Sequence, residues 1–413
     1  MISRILSAEL AEHAGQRVEI AGWVHRRRQL KSVSFLVVRD RTGLTQVVAP
    51  PSTDLPGEES VVRVAGLATA NPQAPGGVEL TGPRITVLAE PEQAPPFELF
   101  RPEVNAGLPA VLDHAPVALR HPGLRLPFEI SAAGVAGFRA TLDRLGFTEI
   151  HTPKIVGSAT ESGADVFGVD YFGRRAYLAQ SPQFHKQMMV GVFERVYEVG
   201  PVFRAEPHDT ARHLAQYTSL DAELGFVGDH RDVMAVLREV LAGMVAEVRE
   251  RVPRAARLLP GVPAEIPAVH FADVSDEPDL SPARERELSA WALREHGSDF
   301  LFVTGYPMAK RPFYTHPDPA RPGYSNGFDL LFRGLELVTG GQRLHRHADY
   351  LAALAARGEE AGPYEGYLRA FAHGMPPHGG FAIGLERWTA RLTGAANIRS
   401  ATLFPRDLHR LSP

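Results

Sequence analysis

The chain has 413 residues, 44% of them hydrophobic, a formal net charge of −4 and no cysteine. That length supports two or three domains with ample core, while the missing cysteines exclude disulfides, thiolate metal sites and thiol nucleophiles. No apolar run approaches the ~18 residues of a membrane span, and the start lacks a signal-peptide pattern, so the cytoplasm is the expected compartment. The mild negative charge excludes a generic nucleic-acid coat but leaves room for a local basic face. Only four lysines occur, Lys31, Lys154, Lys186 and Lys310, which makes each worth following.

In chain order, residues 1–88 read as a small β domain. Strand-like runs stand at 17–23, 34–39, 44–48, 61–67 and 84–88, separated by turn residues Asp40, Gly43, Pro56 and Gly76-Gly77. Five short strands fit a Greek-key barrel of the oligonucleotide-binding (OB) type. Arg26-Arg27-Arg28 is expected between the first two strands, with Phe35 following; cations beside an aromatic are the ingredients of single-strand binding. A solvated charge run and a core Phe are the alternative reading. The Pro-rich stretch 89–115 reads as a hinge.

Residues 116–413 are expected to form one larger α/β or α+β domain. Ser131 can cap a helix with Val135, Phe138, Leu142 and Leu145 on one face and Gly146 at its end. Residues 147–153 then read as a strand closed by Pro153. A second amphipathic helix spans about 232–251, its apolar stripe serving as core.

Four polar clusters stand out in this domain: 160–165, 180–187, 203–223 and 328–343. The third carries Arg204, Glu206, Arg212 and His213, and Gly384-Leu385-Glu386-Arg387 aims one more arginine from a helix start. Separated arginines converging on one pocket suit a triphosphate, because guanidinium forks match phosphate oxygens two at a time. No Walker loop or dinucleotide fingerprint is present, so side chains would hold the phosphates. Asp329 and Glu336 could share a divalent cation with phosphate oxygens.

These residues carry a resemblance. The chain resembles the aspartyl-tRNA synthetases, class II (subclass IIb) enzymes with an N-terminal anticodon-binding OB barrel and a catalytic domain built on an antiparallel sheet flanked by helices. Residues 146–153 are similar to the first class II motif, Phe203-Arg204-Ala205-Glu206 through Asp221-Ala222-Glu223 to the second, and Gly384-Leu385-Glu386-Arg387 to the third. Gln180-Ser181-Pro182-Gln183 with Lys186 is similar to the aspartate signature, and Phe404-Pro405-Arg406 to the family's ending. No large insertion fits between Glu223 and Gly384, so the compact archaeal-type branch is the better match.

The resemblance implies ATP as substrate and Mg²⁺ as cofactor. Arg204 and Arg387 would clamp the α- and γ-phosphates as the catalytic pair, and Glu206, Arg212, His213 and Leu214 would position adenine and the bent triphosphate, beside Gly384, Leu385 and Glu386. Glu336 and Thr339 would serve the metal, with Asp329 a further candidate. Glu161 and Asp221 would meet the substrate ammonium, and Lys186 with Arg343 its side-chain carboxylate, next to Gln183. Two cations in a partly desolvated pocket would favour aspartate over asparagine. No protein nucleophile is needed, and no general base stands out.

In the barrel, the resemblance assigns Phe35 to stack on the central anticodon uridine, Gln46 to read its edge and Arg28 to support it. Strict archaeal-type enzymes tend to carry Trp where His25 stands and Lys where Pro75 stands. This chain resembles the relaxed members, which aspartylate tRNA(Asn) as well as tRNA(Asp) for a downstream amidotransferase. A homodimer is expected. The competing readings are an asparaginyl-tRNA synthetase and a non-catalytic synthetase-like RNA-binding protein.

Overall fold

The computed structural model describes residues 4–157 and 165–412, which divide into two compact units, Met1–Leu124 and Arg125–Pro413. In the first, strands β1 (Arg17–Gln29), β2 (Ser34–Arg39), β3 (Leu44–Ala49), β4 (Val61–Ala70) and β5 (Val78–Ala89) close a barrel in the order β1-β2-β3-β5-β4. Alternating Val, Ile and Leu side chains fill its interior, including Ile20, Leu36, Val47, Val62 and Leu80, as the period-2 pattern requires. Two expectations need correction. β1 continues through the arginine run, where Arg28 pairs with Phe35, and β5 begins well before 84. β1 pairs with both β2 and β4, so it runs past its apolar stretch to complete the closure, and it bulges between Val24 and Arg26. Short helices α1 (Leu108–Asp113) and α2 (Ala115–Ala118) follow an irregular stretch.

The second unit starts within helix α3 (Pro122–Arg144). Ser131 lies in its middle and exchanges a 2.7 Å hydrogen bond with Thr389, so it is not the cap. Pro122 begins this helix ten residues earlier than expected, since proline suits a first helical turn. Gly146, at φ +78°, turns the chain out of the helix as anticipated. Strands β6 (Thr148–Glu149), β7 (Ile155–Val156), β8 (Gly168–Tyr171) and β9 (Arg174–Leu178) precede α4 (Gln183–Phe193). Next come β10 (Arg195–Phe203), β11 (Gln216–Gly225) and α5 (His230–Arg251), whose first turn is capped by Asp229. The remainder runs β12 (Ala268–His270), α6 (Phe271–Val274), α7 (Pro282–His296), β13 (Phe300–Thr304), β14 (Gly327–Phe332), β15 (Leu335–Arg343), α8 (His347–Ala356), α9 (Glu365–Ala372), β16 (His378–Gly384) and α10 (Leu385–Thr393).

Eight of these strands form one sheet in the order β12-β13-β14-β15-β16-β11-β10-β6, antiparallel except at its two edges, where β12–β13 and β10–β6 run parallel. Residues from α3, α5 and α10, including Phe138, Leu241 and Trp388, pack on the sheet with Phe328, Phe332 and Phe381 as the main core. The central strands β11, β15 and β16 are thereby fixed, and their polar residues become rigidly placed. No helix of the described residues is long and apolar enough to cross a membrane.

Candidate active site

A cleft of about 310 Å³ opens on this sheet, lined by residues from β11, β15, β16, the 204–215 loop and the start of α10. Its two ends differ in chemistry. At the open end stand Arg204, Glu206, Arg212 and His213 on the loop, with Glu336 on β15 and Arg387 in the first turn of α10. Long ion pairs stand here, Arg212–Glu285 at 4.0 Å and Arg387–Glu336 at 3.4 Å, and Glu206 lies 4.0 Å from Arg204. Their side chains remain about a third exposed, Arg204 at 32% and Arg387 at 31%. The long pairs of Arg212 and Arg387 hold little energy and leave guanidinium donors available to a polyanion. Arg204 also lies 5.7 Å from the Tyr217 ring centre, which steadies its guanidinium.

At the buried end, four charges interlock. Lys186 of α4 lies 3.0 Å from Asp221 and 3.3 Å from Glu223, both on β11. The Arg343 guanidinium of β15 donates from Nε to Glu223 at 3.1 Å and from Nη2 to the Gly380 carbonyl at 3.0 Å. Lys186 and Asp221 are each 1% exposed and Glu223 is fully covered, whereas Arg343 still lines the cleft. Burial alone would push the Glu223 carboxyl up, but Arg343 and Lys186 outweigh it and hold it below the ordinary carboxylate value. Gly380 is required: a Cβ there would stand 2.1 Å from the Glu223 carboxylate. Next to this cluster, His378 is pushed down to about 4 by burial, donating Nδ1–H to the Pro376 carbonyl and accepting from Gln187.

The arrangement corrects one expectation. Lys186 and Arg343 are not an uncompensated pair of cations, because Asp221 and Glu223 match them. Two bare cations in so dry a site would carry a prohibitive desolvation cost. Lys186 and Asp221 are not among the residues lining the cleft; they lie behind Ser219 and Arg343, which are. Asp221 is further held by the Ser219 hydroxyl at 2.5 Å.

Glu336, with its side chain 40% exposed, still has its carboxyl pushed up to about 7 by desolvation at the cleft wall and by Asp329, against the pull of Arg387. Thr339 donates to it at 3.4 Å. Among the described residues no cluster of three or more acidic or histidine side chains could hold a metal alone. A Mg²⁺ that draws most ligands from phosphate and water needs only one or two protein oxygens, and Glu336 with Thr339, both on the cleft wall, fit that demand. Asp329 does not line the cleft; its Oδ2 takes a 3.1 Å bond from Arg311, which stacks 4.0 Å from the centre of the Tyr306 ring.

Of the other anticipated residues, Gln183, Leu214, Gly384 and Glu386 line the cleft, while Leu385 is buried beside it and Glu161 lies outside the described residues. Glu386 spends both carboxylate oxygens on the Thr218 amide at 3.0 Å, and burial raises its carboxyl to about 7. Sequence reasoning missed Glu285, which accepts the Glu336 amide at 3.1 Å, and missed Arg311, Tyr217, Ser219 and Tyr314 on the wall. Arg311 follows directly on Lys310, one of the four lysines, but nothing in its local pattern marks it.

In the barrel unit, Arg28, Phe35 and Gln46 fall on one outer face: Arg28 pairs with Phe35, Phe35 with Val48, and Gln46 sits two residues before Val48. Gln46 is held by Glu79 at 2.8 Å. His25 occupies the β1 bulge and is buried, its Nδ1 accepting from Arg39 at 3.0 Å; burial and Arg39 push it down to about 4. Arg39 and Arg120 both reach Glu59 at 2.9 Å. Pro75 is exposed at the start of a 3₁₀ turn, Pro75–Gly77.

With this geometry in view, residues 110–408 match the family described as tRNA synthetases class II (D, K and N), and residues 18–88 match the OB-fold nucleic acid binding domain. The "Aspartate--tRNA(Asp/Asn) ligase" of Thermus thermophilus is 47% identical, covering 99% of this chain and 100% of its own length. The protein of the same name from Deinococcus radiodurans is also 47% identical, over 100% and 99%. Among solved structures, asparaginyl-tRNA synthetase from Pyrococcus horikoshii complexed with asparaginyl-adenylate superposes with a TM-score of 0.92 at 29% identity, covering all of both chains. A putative aspartyl-tRNA synthetase from Leishmania major Friedlin gives 0.86 at 27%, over 100% and 95%.

Proposed function

The chain belongs to the class II tRNA synthetases (D, K and N), and from that premise we propose that it is an aspartyl-tRNA synthetase acting on tRNA(Asp) and tRNA(Asn). The observation that carries the reading is the division of one cleft into an open arginine-lined end and a buried, charge-matched end. ATP takes the open end, where Arg204 grips the α-phosphate and Arg387 the γ-phosphate, with Glu206, Arg212, His213 and Leu214 around the base. Glu336 and Thr339 would hold Mg²⁺, which when bound neutralises phosphate charge.

Aspartate takes the buried end. The Arg343 guanidinium, fixed by Glu223 and Gly380, faces its side-chain carboxylate, with Gln183 alongside and Lys186 and Asp221 directly behind. An amide there would leave the Arg343 donors without a matching acceptor pair. The aspartate α-carboxylate attacks the α-phosphorus in line, the bond to the leaving pyrophosphate breaks, and aspartyl-adenylate forms. The tRNA 3′-hydroxyl then attacks the aspartyl carbonyl, its proton leaving through the adenylate phosphate, and AMP departs. The residues contribute position and charge neutralisation only.

Residues 1–88 are assigned as the anticodon-binding domain, 89–115 as linker and 116–413 as the catalytic domain. The broad tRNA range is supported by the names of the relatives and by His25 and Pro75 in place of Trp and Lys. A cytoplasmic homodimer working upstream of an amidotransferase fits that range. ATP–pyrophosphate exchange supplies the test: aspartate drives it and asparagine does not. Exchange driven by asparagine would instead support the asparaginyl reading, to which the Pyrococcus horikoshii structure is similar, and no exchange with either would leave an RNA-binding protein.

A further inference from the structure

The 204–215 loop carries five cleft residues yet has no helix or strand of its own, so something else must hold it. Its backbone is gripped from the C-terminal segment at two points, Ile398 N–H to the Ala211 carbonyl at 2.9 Å and Ala215 N–H to the Arg406 carbonyl at 2.8 Å. Between them lies Arg399, nine-tenths buried and absent from the cleft wall. Its guanidinium addresses the loop twice, Nη2 to Asp209 at 2.7 Å and Nη1 to the Thr210 carbonyl at 3.2 Å, and the tail once, Nε to Asp407 at 2.5 Å. Asn397 fixes the Arg399 backbone amide at 3.0 Å, and Leu214 packs on Ile398 and Ala401.

We infer that Arg399 is a positioning residue for adenylate formation, clamping the ATP loop to the C-terminal segment so that Arg204, Glu206, Arg212 and His213 stand preset before ATP arrives. The inference rests on the proposed assignment of ATP to the open end. A planar guanidinium can serve three acceptors in fixed directions; an ammonium cannot, so Lys is a poor replacement here. Preset donors gain affinity because the ordering of the loop is not charged against ATP binding.

The test compares wild type with Arg399→Ala, Arg399→Lys and Asp209→Asn. It reads KM for ATP and for aspartate separately in pyrophosphate exchange, together with hydrogen exchange of the 205–215 amides in the ligand-free protein. Arg399→Ala should raise KM for ATP about 10- to 100-fold, the size of lost charge-assisted hydrogen bonds. KM for aspartate should stay within about threefold, and the loop amides should exchange faster. Arg399→Lys should recover only part, and Asp209→Asn, at a half-exposed site that spares the fold, should shift both readouts several-fold in the same direction. Unchanged loop exchange in Asp209→Asn, or an equal rise in both KM values in a folded Arg399 variant, would overturn the clamp. Wild type without aspartate-dependent exchange would defeat the functional reading instead, and hydrogen exchange would still decide the clamp.

Discussion

The two ends of the cleft solve opposite problems with the same kinds of side chain. At the open end Arg212 and Arg387 stand 3.4–4.0 Å from their carboxylate partners and stay wet. At the buried end Lys186 and Arg343 stand 3.0–3.3 Å from theirs and are sealed. A flexible, highly charged ligand can be gathered by cations whose own partners are weak. Discriminating a carboxylate from an amide instead calls for a donor set that cannot rearrange, and burial with matched counter-charges supplies that rigidity. On the proposed reading, selectivity at the buried end comes from fixed geometry, with no surplus of positive charge.

The largest effect should come from unbalancing the buried end. Lys186→Met leaves Asp221 facing Glu223 and should lower stability by roughly 3–5 kcal/mol, read as a fall in melting temperature, with aspartate-dependent exchange lost. Adding Glu223→Gln to it restores the charge balance, so the double variant should be less destabilised than the sum of the two singles. At the open end, Arg204→Ala or Arg387→Ala should slow exchange about 10²–10³-fold, while melting shifts by no more than about 1 kcal/mol in stability terms, because these pairs are exposed.

Smaller still is the pH effect. Glu336, raised to about 7 from an ordinary 4.5, holds its proton more tightly in the folded protein. Its contribution to stability is thus full below 4.5 and lost as pH rises through 7. Binding of ATP runs the other way, since the ionised carboxylate is the useful form: KM for ATP should rise as pH falls from 8 to 6, and Glu336→Gln should flatten that slope. The least effect on catalysis belongs to the barrel. Pro75→Lys is exposed and should change stability by under ~0.5 kcal/mol, and together with His25→Trp it should reduce charging of tRNA(Asn) several-fold with tRNA(Asp) nearly unchanged in a side-by-side aminoacylation assay.

Much of this was legible in the sequence because the motifs lie on single elements: β11 and the start of α10 carry Asp221, Glu223, Glu386 and Arg387 at fixed spacing. What the sequence hides is pairing between distant elements. Lys186 and Glu223 meet only when α4 packs on β11, and Glu285 reaches Glu336 only through α7. The same holds for Arg399, whose loop partners Asp209 and Thr210 lie about 190 positions away in the chain. His25 shows the other limit. It stands at a one-residue bulge and is buried against Arg39, a contact between strands that the alternation of β1 does not reveal.

The central claim is that one cleft reads triphosphate chemistry at one end and a side-chain carboxylate at the other. Calorimetric binding of two non-hydrolysable analogues, aspartyl- and asparaginyl-sulfamoyl adenosine, spans both ends at once. The aspartyl compound should bind at least ~100-fold more tightly, as expected where a matched polar pair is replaced by a mismatched one. Equal affinities, or preference for the asparaginyl compound, would contradict the account.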